Sequence, residues 1–230
     1  MAKVFLSAGH GGSDPGAVGN GLKEKDINLQ TLRACKAELE AHGVEVVASR
    51  TTDENDPVGQ EVKEANASGA DVAVSFHVNA GGGDGFEAFY HTSSAKGKKL
   101  AQLGEKYVKA MGQNSRGIKS GNHLYFVKNT TMTAVLFESF FVDNAKDKTI
   151  GDTKAEQKAF GVAYAKAILE YLGIAYTETK EKPTETKEKA PTTANTVYRV
   201  QVGAYGVKSN AEAMQRKLKA AGFDAYITTK

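Results

Sequence analysis

The chain is poor in several things that would otherwise set its class. It has one cysteine among 230 residues, so no disulfide can form within it. That residue, Cys35, falls among Leu29, Leu32 and Leu39 at helical spacing, which suits a core thiol and shows no reactive surroundings for a nucleophile. No apolar run reaches the length of a membrane span. The N-terminal run of Val4, Phe5 and Leu6 is too short for the core of a signal peptide, and the expectation is a protein made in the cytoplasm without a recognisable export signal. Charge of one sign is scarce as well. Thirty basic side chains face 27 acidic ones, a net charge of +3. Lysine is dispersed among glutamate rather than clustered with aromatics, so no nucleic-acid partner is expected. The mild basic excess favours contact with an anionic polymer.

The chain does contain enough apolar sequence to fold. Hydrophobic residues make up 40% and charged residues 25%, which suits one α/β domain with a small addition. Apolar runs at 3–7, 44–49, 71–77, 85–91, 122–127 and 133–137 read as strands. Helical periodicity occupies 26–42, 58–68, 94–111 and 153–172, with Gly43, Gly69 and Gly173 after three of these helices. The alternation predicts a mixed or mostly parallel sheet with helices on both faces. Residues 177–196, TETKEKPTETKEKAPTTANT, carry no large apolar side chain and repeat themselves, as a solvated tether does. Beyond it, 197–203 and 223–228 read as strands around a helix at 209–221. This small β-α-β unit is below the size at which a core supports itself. The organisation expected is therefore a domain at 1–176, a linker at 177–196 and a terminal unit at 197–230.

Candidate chemistry gathers where strands end. His10 follows the first strand in Ser7-Ala8-Gly9-His10-Gly11-Gly12. Glu24 stands before the first helix in Gly21-Leu22-Lys23-Glu24-Lys25-Asp26. His77 ends a strand in Val74-Ser75-Phe76-His77-Val78-Asn79. In open α/β sheets, sites collect outside the carboxyl ends of strands. Two imidazoles and a carboxylate that leave one position open form a catalytic zinc set. Taken singly, His10 also reads as part of a glycine turn and Glu24 as a solvated carboxylate. Glu138 closes the apolar run Ala134-Val135-Leu136-Phe137-Glu138. A carboxylate there must be paired, bound to metal or open to solvent, and either a general base or a salt-bridging residue fits. Asn79 lies two residues past His77 and so shares its face of the strand. It reads equally as a substrate-binding residue and as a turn residue opening Gly81-Gly82-Gly83.

Four blocks, taken together, resemble a known family. Ser-Ala-Gly-His10-Gly-Gly-Ser-Asp14-Pro-Gly-Ala, Gly-Leu-Lys-Glu24-Lys-Asp, Ser-Phe-His77-Val-Asn79-Ala and Leu-Phe-Glu138-Ser-Phe-Phe-Val-Asp-Asn144 occur in the order found in zinc-dependent N-acetylmuramoyl-L-alanine amidases of the amidase-3 type. The resemblance implies a six-stranded mixed sheet flanked by helices and one zinc ion on His10, Glu24 and His77. It also implies that Glu138 is the catalytic glutamate, and that the bond cut joins the lactyl group of N-acetylmuramic acid to L-alanine. Phe140 stands where the family often has glycine, and Thr133 where it often has proline. His123 matches no ligand position. The terminal unit, with Tyr198-Arg199-Val200-Gln201-Val202-Gly203-Ala204-Tyr205 and Leu218…Gly222-Phe223…Tyr226, is similar to half of a sporulation-related (SPOR) repeat, which binds peptidoglycan.

The implied protein is an autolysin or phage endolysin that acts at the bacterial wall, reached after lysis or holin-type release. Two other readings stand beside it, a zinc peptidase cutting within the stem peptide and a wall-binding protein without activity. A half-size repeat leaves an apolar side and a strand edge uncovered, so two copies are expected to pair as a homodimer through it.

Overall fold

A computed structural model of the chain describes residues 1–178, 208–220 and 226–228. The chain divides into two units, Met1–Lys182 and Pro183–Lys230. In the first unit, strand β1 (Lys3–Ala8) leads to a two-stranded ribbon, β2 (Val18–Gly19) and β3 (Leu22–Lys23). Then follow α1 (Glu24–Ala41), β4 (Glu45–Ala48), α2 (Val58–Ala67), β5 (Val72–Asn79), β6 (Phe86–Tyr90), α3 (Ala95–Ala110) and β7 (Ser115–Ser120). The unit ends with α4 (Tyr125–Asn129), β8 (Thr133–Phe141), a 3-10 turn at Asp147–Ile150 and α5 (Lys154–Leu172). The sheet has six strands in the order β4-β1-β5-β8-β6-β7. It is parallel except where β6 runs against β8. The expected six-stranded mixed sheet flanked by helices is the observed architecture.

Side-chain alternation along the strands sorts the two faces. Val72, Val74, Phe76 and Val78 of β5 join Val4, Leu6, Val135 and Phe137 in the larger core, shared with Ile27, Leu32 and Cys35 of α1 and Phe160, Tyr164 and Ile168 of α5. Cys35 is fully buried and unpaired in this core, as expected. Helices α1 and α5 approach closely at Gly161, where a Cβ would stand 2.4 Å from the carbonyl oxygen of Thr31. A capping box of Thr153 and Glu156 starts α5, and Gly173, at φ 76°, ends it. The opposite face is covered less. Phe5, Ala73 and Ala134 meet Val62 and Ala65 of α2 and Phe126 of α4 in a small second core. His77 and Glu138 lie on this thinly covered face, since the residues two before them, Ser75 and Leu136, alternate away from the larger core.

Three expectations need correction. Residues 122–127 do not form a strand. A turn at 122–123 leads into α4, which buries Phe126 and Val127. The sixth strand is instead β7, whose sequence SRGIKS carries a single large apolar residue. Glu24 does not lie in a loop but is the first residue of α1. In the second unit, the expected helix is α6 (Lys208–Ala220). The expected strand at 197–203 lies outside the described residues, as do residues 223–225 of the other. Residues 226–228 are described and carry no strand, with Tyr226 85% exposed. No helix among the described residues is long and apolar enough to cross a membrane.

Candidate active site

Strands β1, β5 and β8 are parallel neighbours, so their carboxyl ends meet at one edge of the sheet. His10, just beyond β1, has a φ of 65°, a left-handed backbone that a non-glycine residue adopts only where its surroundings hold it. Those surroundings are specific. His10 Nδ1 pairs with Asp14 Oδ2 at 2.8 Å, and the Asn28 side-chain amide donates to the carbonyl of Gly9 at 3.0 Å. The buried Arg50 donates to the carbonyls of Ala8 and Lys25. This guanidinium thereby ties the end of β1 to the start of α1 and sets His10 against Glu24.

Glu24 is only 4% exposed, and its carboxylate is the hub of the site. One oxygen accepts from the backbone N–H of Ala17 at 2.8 Å and lies 3.3 Å from His10 Nε2. The other lies 2.9 Å from His77 Nδ1 and accepts from the N–H of Val78 at 3.2 Å. Burial alone would raise the Glu24 pKa, yet hydrogen bonds from His10 and His77 hold it well below the ordinary range. The bond to Glu24 in turn lifts His10 to about 9, against the opposing effect of burial. His77 is raised too, since Glu24 outweighs the burial that would lower it.

The donor set fits a metal ion. One nitrogen from each histidine and one Glu24 oxygen all lie within 4.8 Å of one another. The carboxylate stabilises positive charge at that point, and two neutral imidazoles beside one carboxylate suit zinc. Glycines make the room. A Cβ on Gly9 would stand 2.1 Å from the His77 ring, and one on Gly16 2.6 Å from Glu24 and 2.7 Å from His10. Asp14 on His10 and the Ser75 hydroxyl, 3.1 Å from His77 Nε2, engage the ring nitrogens turned away from the cluster. Such partners orient histidine ligands.

Glu138 pairs in register with His77 on one side and with Glu87 on the other. Its Oε2 is buried and has no hydrogen-bond partner among the described residues. Burial raises its pKa to about 7, with the Glu24 and Glu87 charges adding and His77 opposing. A carboxyl with a pKa near neutrality is suited to exchanging protons at neutral pH.

The structure brings His10, Glu24, His77 and Glu138 together and sets Asn79 beside them. The Asn79 amide donates to Glu87 Oε2 at 3.1 Å, and its oxygen accepts from the N–H of Ala80 at 2.9 Å. Asn79 therefore both opens the glycine loop and holds Glu87. Sequence reasoning assigned no role to Asp14, although it lies inside the His10 block. It also missed Glu87, whose buried charge interrupts the aromatic strand Phe86-Glu87-Ala88-Phe89. His123 stands away from the site, edge-on to Phe89 at 6.1 Å. His42 caps α1 and stacks on Tyr176 at 5.0 Å.

Comparison with known proteins agrees with this geometry. A family model described as N-acetylmuramoyl-L-alanine amidase matches residues 4–170, and one described as SPOR domain matches residues 173–230. The chain is 33% identical, over 100% of its own length and 86% of the other's, to a sporulation-specific N-acetylmuramoyl-L-alanine amidase of Bacillus subtilis (strain 168). It is 36% identical to an endolysin of Bacillus phage SPP1, over 81% of this chain and 74% of that one. Among solved structures, the catalytic domain of CwlV, an N-acetylmuramoyl-L-alanine amidase from Bacillus (Paenibacillus) polymyxa var. colistinus, is 34% identical with a TM-score of 0.71. That match covers 76% of this chain and 100% of the other. On these matches the chain belongs to the N-acetylmuramoyl-L-alanine amidase family, joined to a SPOR domain.

Proposed function

We propose that the chain hydrolyses the amide bond between the lactyl group of N-acetylmuramic acid and L-alanine, with zinc held by His10, Glu24 and His77 and with Glu138 as general base. The observation that carries this reading is the convergence of the three ligand atoms within 4.8 Å beside the buried carboxyl of Glu138. Zinc in that set supplies a Lewis acid that acidifies water and polarises the scissile carbonyl. The chain's own residues do the rest. Glu24 fixes both imidazoles, Asp14 and Ser75 orient the rings, and Glu138 takes a proton from the attacking water. Near neutral pH the same carboxyl then returns that proton to the departing amine of L-alanine.

The arrangement is that of an autolysin or endolysin, with a catalytic domain at 1–176, a tether at 177–196 and a wall-binding unit at 197–230. Mass spectrometry of purified wall, digested with and without a chelator, tests the reading. Metal-dependent release of peptides with a free L-alanine amine is expected. New termini within the stem peptide would identify a peptidase instead. Full activity of a metal-free preparation would refute the mechanism.

A further inference from the structure

The thinly covered face of the sheet continues past Glu138 toward the β7 edge. The small core under α2 and α4 includes no residue of β6 or β7. His77, Glu138 and Glu87 lie in one row across β5, β8 and β6. At the end of that row the charge changes sign. Arg116 Nε and Lys119 Nζ, both from β7, donate to the same Glu87 oxygen at 2.6 and 2.5 Å, and Asn79 holds the other oxygen. Glu87 is buried, while the Arg116 and Lys119 side chains are 44% and 36% exposed. Two cations thus share one carboxylate, which leaves a surplus positive charge facing solvent.

Arg116 is also held in place. Its guanidinium lies over the Phe141 ring at 5.3 Å, and a bond through Nε fixes the plane of the group. Its two terminal amino groups have no hydrogen-bond partner among the described residues. A planar fork of free donors matches a carboxylate, and Lys119 keeps further donors beside it.

We propose that Arg116 and Lys119, anchored by Glu87, form a subsite for a free carboxylate of the peptidoglycan stem peptide. The inference rests on the amidase reading for its substrate. Facing residues on neighbouring strands are about 5 Å apart, which puts the fork on the order of 10 Å from Glu138. An extended peptide advances about 3.3–3.6 Å per residue. The carboxylate is therefore borne by the second or third residue beyond the scissile bond. Amidation at that residue would set an NH2 donor against donors and remove the negative charge, so the subsite selects against amidated stems.

Isothermal titration of the full chain tests this with soluble stem peptides that begin at L-alanine. The peptides differ only in a free or amidated carboxyl on residue two, or on residue three. The wild type should bind one of the free acids roughly tenfold or more tighter than its amide, the size of a charge-assisted hydrogen bond. Lys119→Gln should reduce that preference, and adding Arg116→Gln should abolish it, with metal content unchanged. Lys119→Gln, at the sheet edge, keeps the test open should Arg116→Gln fail to fold. Equal affinity for acid and amide at both residues, or a preference unchanged in the Lys119→Gln chain, would overturn the subsite. Hydrolysis of the matching muropeptides separates the two ideas. Binding preference without any hydrolysis would sink the amidase reading and leave the subsite, whereas hydrolysis without preference would sink the subsite alone.

Discussion

Beneath the cluster of His10, Glu24 and His77 lies another buried acid whose ionisation should weaken the fold. Glu61 of α2 is 2% exposed, with Ser7, His77 and Asp56 around it. Burial moves its pKa from 4.5 to about 7, and the positive charge of His77 offsets only part of that. In the unfolded chain Glu61 gives up its proton near 4.5, whereas in the folded chain it keeps it until about 7. Below 4.5 the group is neutral in both states and costs nothing. Between the two values only the unfolded state gains by ionising, so stability falls as pH rises, and above about 7 the loss is complete. Each pH unit between the two pKa values corresponds to about 1.4 kcal/mol, so the full loss is about 3 kcal/mol.

Glu61→Gln keeps the shape of the neutral acid and removes the titration. In chelator, which keeps dications away from the group, the variant should match the wild type within about 1 kcal/mol at pH 4.5 and exceed it by about 3 kcal/mol at pH 8. For a domain of this size that is about 6–12 °C in Tm, read by calorimetry on the cooperative transition of the amidase unit. A difference between variant and wild type that stays constant from pH 4.5 to pH 8 would refute the reasoning.

Glu138→Gln should keep its zinc and its fold while kcat falls by roughly two to four orders of magnitude, checked by metal analysis beside turnover of a soluble muropeptide. Because the base works only when ionised, wild-type kcat/KM should fall on the acid side with a midpoint at or below about 7, since a bound cation draws the carboxyl down from its metal-free position; an acid limb centred well above 7 would assign the base elsewhere. Asn79→Ala should free one oxygen of Glu87 and lower turnover with metal still bound; a loss that follows the melting temperature alone would leave Asn79 as a turn residue. Finally, the terminal unit should make the full chain dimeric by light scattering, while a chain truncated after Tyr176 should be monomeric. A monomeric full-length chain at micromolar concentration would remove the pairing idea.

What was legible in the sequence is what repeats with a period or repeats in chemistry. Strands β1, β5 and β8 announce themselves as apolar runs because helices bury both of their faces. His10 just beyond β1, and His77 and Glu138 within the carboxyl-terminal halves of β5 and β8, follow from the same arrangement, since sites in such sheets gather at the carboxyl ends of strands. The run Leu124-Tyr125-Phe126-Val127 misled because short apolar segments fit a buried strand and a buried helical turn equally well. Here the run starts a helix of five residues that covers the second core. Strand β7 was invisible for a different reason. It is an edge strand whose Arg116 and Lys119 are both held by Glu87 from the neighbouring strand. A strand that gives two of its six positions to cations paired with Glu87 cannot also show the apolar alternation by which strands are recognised. Its pairing is specified from across the sheet, by backbone register with β6 and by one buried carboxylate, and neither belongs to the strand's own sequence. The local pattern fails at β7 because tertiary contacts, here the Glu87 carboxylate, hold its polar residues on a sheet edge that the strand's own sequence does not announce.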